Sequence, residues 1–241
     1  MKPGHIHFSI DDVILSLKWL RDKNPDSIFD LDFFKSLRHW NEIYGLQFSL
    51  YVFETCDGFS IDNLPKKYWD EFRRNDSWLK FCWHRRKGGF LTDDIDTEIN
   101  SFERVKRIIC DNISERAWTD TVRLHRFGAE KDFISFLRKK GNISCLLCAD
   151  DDRLCYDLTD RETDLLKAKR IIIKNGLIYR RTDFRLDSLD TCSDEDLRSL
   201  AEKSKKLVND IDKRLTVFCH EWKFNSIYKN LNLYLRYTMS L

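Results

Sequence analysis

The sequence predicts an α/β fold of parallel βα units. Three observations predict it. Strand-length apolar runs alternate with amphipathic helical patterns along the chain. The residues that follow the runs are rich in Asp, Glu, His and Arg, as expected where strand C-termini build a site. No internal repeat, low-complexity stretch or Gly/Ser/Pro linker divides the 241 residues, and only three prolines occur, so one domain over 1–241 is expected. Right-handed crossovers of such units give an open doubly wound sheet or a barrel. No G-x-G-x-x-G follows the first strand. Aspartates stand there instead, the wrong charge for cradling phosphate.

The elements follow in order. "HIHFSI" reads as the first strand, and "DDVILSLKWLRD" as a helix with Val13, Leu17 and Leu20 at three-and-four spacing. "LDFFKSLRHWNEIYG" repeats that spacing and ends on Gly45, a C-cap signal. "LQFSLYVF" and "WLKFCW" are the next strands. "DTEINSFERVKRIICDNI" puts Ile99, Phe102, Val105 and Ile109 on one side of a helix. "TVRL" is a short strand. "AEKDFISFLRKKG" is a helix ending on Gly141, and "ISCLLCA" and "LIYRRTDF" are strands. "SDEDLRSLAEKSKKLVNDIDKR", residues 193–214, opens acidic and closes basic, matching the helix dipole at both ends. "LTVFC" is the last strand.

Composition narrows the function classes. Hydrophobic residues make up 42% and charged residues 34%, enough for a large core and a solvated surface. The formal net charge of +2 makes no electrostatic case for nucleic acid or a membrane surface. No apolar run is long enough for a transmembrane segment. The N-terminus shows no h-region or cleavage site, so a cytoplasmic protein is expected. The eight cysteines are scattered, several inside apolar runs, and read as buried free thiols. The "CLLC" pair, Cys145 and Cys148, has no second pair at zinc-finger spacing.

The strand ends carry the chemistry. Asp11 and Asp12 end the first strand and Glu54 the second; His84 follows "WLKFCW". Arg123 and His125 close the "TVRL" run, and Asp150–Asp152 follow "ISCLLCA". Asp183 ends the next strand, and His220 the last. Three of the six histidines fall at these ends, richer chemistry than polar strand ends require. A carboxylate with one or two imidazoles can hold a divalent metal, most readily zinc, and leave positions open for water and substrate. A second carboxylate can then take a proton from water, and a separate histidine can protonate a leaving group. Adjacent side chains on an extended chain diverge, so Asp11 and Asp12 can serve different roles. Trp222 is the best-placed aromatic platform for a sugar ring. His5 and His7 share a strand face with Ser9 and Asp11, and His7, one layer beneath the site, reads as a residue that supports the ligands or packs, rather than as a ligand. His39 reads as a helix-surface residue.

These residues resemble the motifs of the polysaccharide deacetylases (carbohydrate esterase family 4). "FSIDDV" resembles T-F-D-D-G, in which the first Asp is general base and the second a metal ligand. The match implies Asp11 as base and Asp12 as ligand. "KFCWHRRKG" resembles the histidine motif and implies His84 as ligand. "RLHRFG" resembles R-x-P-Y and implies that Arg123 steadies the base. "LTVFCHEW" resembles the final motif and implies His220 as general acid. "RTDFRL" is a weaker match to the acidic motif, with Asp183 its candidate. The resemblance covers most of the chain in order and implies a distorted parallel (β/α)7 barrel, TIM-barrel-like. It implies a metal-dependent hydrolase that removes an N- or O-acetyl group from a carbohydrate.

The chain departs from the pattern at Val13 in place of Gly, at Gly88 in place of a second histidine, and at His125 in place of Pro. Either His125 supplies the missing ligand or the metal site has degraded. The degraded case would leave a binder of a glycan or a protein partner. The same groups would also permit hydrolysis of another amide C–N bond.

Overall fold

The computed structural model describes residues 2, 5–89, 93–209 and 214–239. The described chain runs β1 (Ile6–Val13), α1 (Leu15–Lys23), α2 (Asp32–Tyr44) and β2 (Phe48–Phe53). A small hairpin follows, β3 (Thr55–Cys56) and β4 (Phe59–Ser60), and then α3 (Lys66–Arg74). Next come β5 (Leu79–Arg85), α4 (Ile95–Asn112), β6 (Thr121–Val122), α5 (Lys131–Lys139) and β7 (Cys145–Cys148). The last part holds α6 (Asp160–Lys169), β8 (Ile171–Lys174), β9 (Leu177–Arg181), β10 (Phe184–Arg185), α7 (Asp194–Asn209), β11 (Leu215–His220) and α8 (Phe224–Met239). No helix among the described residues is long and apolar enough to cross a membrane.

The fold is mixed α/β with a parallel sheet. One sheet has the order β10-β11-β1-β2-β5, and every pairing in it is parallel. A second has the order β6-β7-β9-β8, parallel except for the β8–β9 hairpin. Two backbone links join them. The Thr119 amide donates to the Phe81 carbonyl (3.0 Å), beside a bridge between Phe81 and Trp118. On the far side the Thr182 amide donates to Cys148 (3.2 Å) and the Asp183 amide to Thr216 (2.8 Å), carrying β9 into β10.

Local chemistry accounts for the elements. Every residue of β2 is buried, as a parallel strand covered on both faces requires. Phe8 of β1 packs on Phe48 at 5.3 Å. α2 buries Phe33, Phe34, Leu37 and Trp40, and Gly45 closes it at φ +66 with its amide on Asn41. Gly141 serves α5 differently: a Cβ there would sit 2.8 Å from the Leu137 carbonyl oxygen, so the need is steric. The left-handed residue is Asn142 at φ +57. α4 buries Phe102, Val105 and Ile109 as its pattern predicts. All eight cysteines are free thiols, and Cys82, Cys145, Cys148, Cys155 and Cys219 are buried.

The structure differs from the sequence pattern in several places, among them three unmarked strands, β3, β4 and β8. β1 continues through Asp11 and Asp12 to Val13, and α1 starts only at Leu15. "LIYRRTDF" splits at Thr182–Asp183 into β9 and β10, because the chain changes partner there from β7 to β11. α3, α6 and α8 are helices that the alternation of strand and helix patterns did not mark. The 193–214 pattern is helical over 194–209, and its continuation over 210–213 lies outside the described residues.

Candidate metal centre

Irregular backbone positions three residues at one end of the sheet. Between Ile10 and Val13, β1 carries one residue more than β2, since Ile10 faces Leu50 and Val13 faces Val52. Asp12 sits in this bulge at φ +60. β5 carries the matching irregularity: Trp83 faces Val52 and Arg85 faces Phe53, leaving His84 as the extra residue. His125 opens a short 3-10 turn after β6, and Arg126 and Phe127 behind it both have φ +59. Bulges re-aim side chains, and non-glycine residues held at positive φ concentrate where geometry serves a site.

The re-aimed side chains converge. His84 Nε2 lies 3.1 Å from Asp12 Oδ1, His125 Nδ1 lies 3.2 Å from the same oxygen, and the two nitrogens are 3.4 Å apart. His84 Nδ1–H donates to the Arg123 carbonyl at 2.6 Å. That bond fixes the ring so that Nε2 faces Asp12 and His125. Imidazole nitrogens and a carboxylate oxygen this close can share protons or a cation. Donor atoms at the corners of a tetrahedron with zinc-length bonds of about 2.0–2.1 Å stand roughly 3.3 Å apart. The three separations match that edge, so Asp12, His84 and His125 form a possible metal-binding triad. Burial opposes the charge on Asp12, but the neighbouring imidazoles of His125, His84 and His220 outweigh it and hold its carboxyl well below the usual range.

Asp11, 2% exposed, takes a separate environment. Arg123 Nη1 donates to both its oxygens, at 3.1 and 3.4 Å, and to Ser9 Oγ at 2.7 Å. Arg123 Nη2 donates to Thr182 Oγ1 (2.8 Å), which in turn donates to the Cys148 carbonyl. The Phe218 ring lies 4.0 Å from the guanidinium. The arginine is therefore fixed on three sides, and Asp11 with it.

His220 lies beside Asp11 on the neighbouring strand. Its Nδ1–H and its amide donate to Asp187, at 2.6 and 2.9 Å, and its Nε2 points at Asp12 Oδ2 from 3.9 Å. Burial disfavours the imidazolium, yet Asp187, Asp11 and Asp12 outweigh it and raise the His220 pKa above its ordinary value. Asp187 is itself buried, and the hydrogen bond and charge of His220 overcome that burial to lower its pKa. Trp222 stacks on His220 with centroids 5.2 Å apart, and its indole N–H donates to Asp12 Oδ2 at 3.1 Å. More than half of Trp222 is exposed, 54%, so one aromatic face is open beside the triad. Glu221 turns the other way and accepts the amides of Ile14, Leu15 and Ser16 at 2.8–2.9 Å. Burial raises its pKa against the pull of those amides.

The structure thus gathers Asp11, Asp12, His84, Arg123, His125, His220 and Trp222. It does not gather Asp183. That carboxylate pairs with Arg170 at 2.7 Å and accepts the Thr216 amide at 2.8 Å, near the start of β11 and away from His220. The acid beside His220 is Asp187, four residues on. Its signal was its place in "FRLDSL", just past a strand too short to show as an apolar run. Asp151 and Asp152 form surface ion pairs with Arg153 and Lys167. His7 meets the Tyr51 hydroxyl at 3.2 Å, a packing role as expected.

No protein-family profile matches the chain, and no curated protein matches it. Among solved structures it is similar to a 4-alpha-glucanotransferase from Thermococcus litoralis, with a TM-score of 0.60 at 12% identity. The match covers 99% of this chain and 37% of that one. At that identity the likeness is one of fold alone.

Proposed function

We propose that the protein is a metal-dependent hydrolase that removes an N- or O-acetyl group from a sugar or glycan precursor. The single observation that carries this reading is the convergence of Asp12, His84 and His125 at zinc-like spacing, with Asp11–Arg123 on one side and Asp187–His220 on the other. The fold that goes with it is a distorted (β/α)7 barrel. In support, the backbone links at Thr119 and Thr182–Asp183 bring the order β1-β2-β5-β6-β7-β9/β10-β11 back to β1. The strand-end resemblance to polysaccharide deacetylases points the same way. His125 fills the place that Gly88 leaves empty in the family's histidine motif.

Each residue has a task. A divalent ion, zinc by its N,N,O donor set, would supply Lewis acidity toward an acyl carbonyl and a water. Asp11, paired with Arg123, accepts the proton of the attacking water. Arg123 fixes the direction of that carboxylate. The Arg123 carbonyl, through His84 Nδ1–H, also keeps the His84 lone pair on Nε2. His220, protonated at Nε2 and held by Asp187, gives its proton to the departing nitrogen or oxygen. Trp222 offers its open face to the sugar ring.

Metal analysis of the purified protein by mass spectrometry tests the reading first. About one equivalent of zinc, lost in Asp12→Ala and His84→Ala, is expected. Asp11→Asn should keep the metal and lose roughly 10²–10⁴-fold in turnover of an N-acetylated sugar. A protein that takes up no metal from added zinc is instead a glycan- or protein-binding relative. Turnover by Asp11→Asn at the parent rate removes Asp11 as base.

A further inference from the structure

A cavity of about 490 Å³ lies at the other end of the strands, where β1, β2, β5, β6 and β11 begin. A second, of about 180 Å³, shares His7, Asp120, Thr121 and Arg214 with it. Four cationic side chains line the two, Lys80, Arg116, Arg180 and Arg214; among the described lining residues the carboxylate is Asp120, and Arg116 also pairs with Asp76 at 3.8 Å. Asp120 already accepts the Ser144 hydroxyl at 2.5 Å. The Lys80 ammonium donates to two backbone carbonyls, Asp76 (2.6 Å) and Arg116 (2.8 Å). The Trp118 indole N–H, in the same lining, has no hydrogen-bond partner. Ile6 and Phe8 add apolar wall.

The local field agrees with this inventory. Burial and the Arg116 charge lower the Lys80 pKa against the opposing pull of the Asp76 carboxylate. Burial, followed by Arg123, Arg214 and Arg180, depresses His7 to about 3, so it stays neutral at the cavity floor. A concave, cation-lined volume of this size suits a small organic anion. Arginine and lysine together match the multiple oxygens and double charge of a phosphate better than a single carboxylate.

We propose that this end of the molecule is a second binding site, for a small phosphate monoester whose oxyanion is held by Lys80, Arg116 and Arg214. The site stands apart from the triad of Asp12, His84 and His125 and needs none of its residues. Titration calorimetry at low ionic strength tests it, with glycerol phosphate and inorganic phosphate as probes and malonate as the carboxylate control. One equivalent of phosphate should bind, more weakly as chloride is raised toward about 0.2 M. Arg116→Met, at an exposed position, and Lys80→Met should each weaken binding about tenfold. No saturable binding at ~10 mM probe, or unchanged affinity in Arg116→Met, overturns the proposal. Malonate binding as tight as phosphate overturns its assignment to phosphates.

Discussion

Asp12 receives four neighbours on two oxygens: His84 and His125 at Oδ1, Trp222 at Oδ2, and His220 at 3.9 Å. It stays charged because those neighbours outweigh its burial. His220 is the complementary case, a base whose carboxylate neighbours raise its pKa. The stabilisation it draws from Asp187 is therefore complete below the ordinary histidine pKa near 6.5 and is lost as pH rises through the raised value. Asp187→Asn should shift the alkaline limb of the pH–rate profile down by roughly one unit, because the acid deprotonates earlier. An unmoved limb would mean that another group is the acid. Arg123→Met would leave Asp11 buried and unpaired, and should cost about 3–5 kcal/mol in denaturant unfolding. Adding Asp11→Asn should recover part of that loss; no recovery would place the cost in Arg123 packing alone.

At the scale of elements, the bulges in β1 and β5 do what a regular ladder cannot. In regular strands Asp11 and Asp12 would face opposite sides, and His84 would share its row with Cys82. One extra residue in each strand turns Asp12 and His84 toward each other. Glu221 then locks the turn. The Ile14 amide at the N-cap and the first two α1 amides, Leu15 and Ser16, which no helical carbonyl can reach, end on its carboxylate, starting two residues beyond Asp12. Glu221→Ala should lower unfolding free energy by about 2–3 kcal/mol and weaken zinc affinity, whereas Glu221→Gln, still able to accept, should lose less. Equal losses in the two variants would show that packing, not hydrogen bonding, matters at 221. The helical periods of α2 and α4 were legible because burial of Phe34, Trp40, Phe102 and Val105 demands them. The bulges were not, since an extra residue leaves no mark in an apolar pattern.

At the scale of the molecule, the two sheets share strand junctions rather than a continuous ladder. The Thr119 and Asp183 amides are the links. If the strands close into a barrel, those amides should exchange with solvent within about tenfold of the β1 and β2 amides. Exchange more than roughly a hundredfold faster would mean that the junctions open and the sheets act as two bodies. The parallel strands also separate the chemistry at their two ends. The histidine–carboxylate triad occupies one end and the cationic cavity the other, so a ligand at one end need not contact the chemistry at the other.

The sequence by itself determined the alternation of strands and helices, the residues that end the strands, and the pairing of chemistry with strand ends. These follow from burial, which apolar periodicity records, and from the polar caps where burial stops. Only the tertiary structure decided which strand ends meet. It brought His125 to Asp12 and His84 across sequence separations of 113 and 41 residues. It placed Asp187 rather than Asp183 beside His220, and it spent Asp183 on Arg170. The physical reason is that a carboxylate's partner depends on bulges and strand register. A single residue of slip there redirects a side chain while the sequence pattern reads the same.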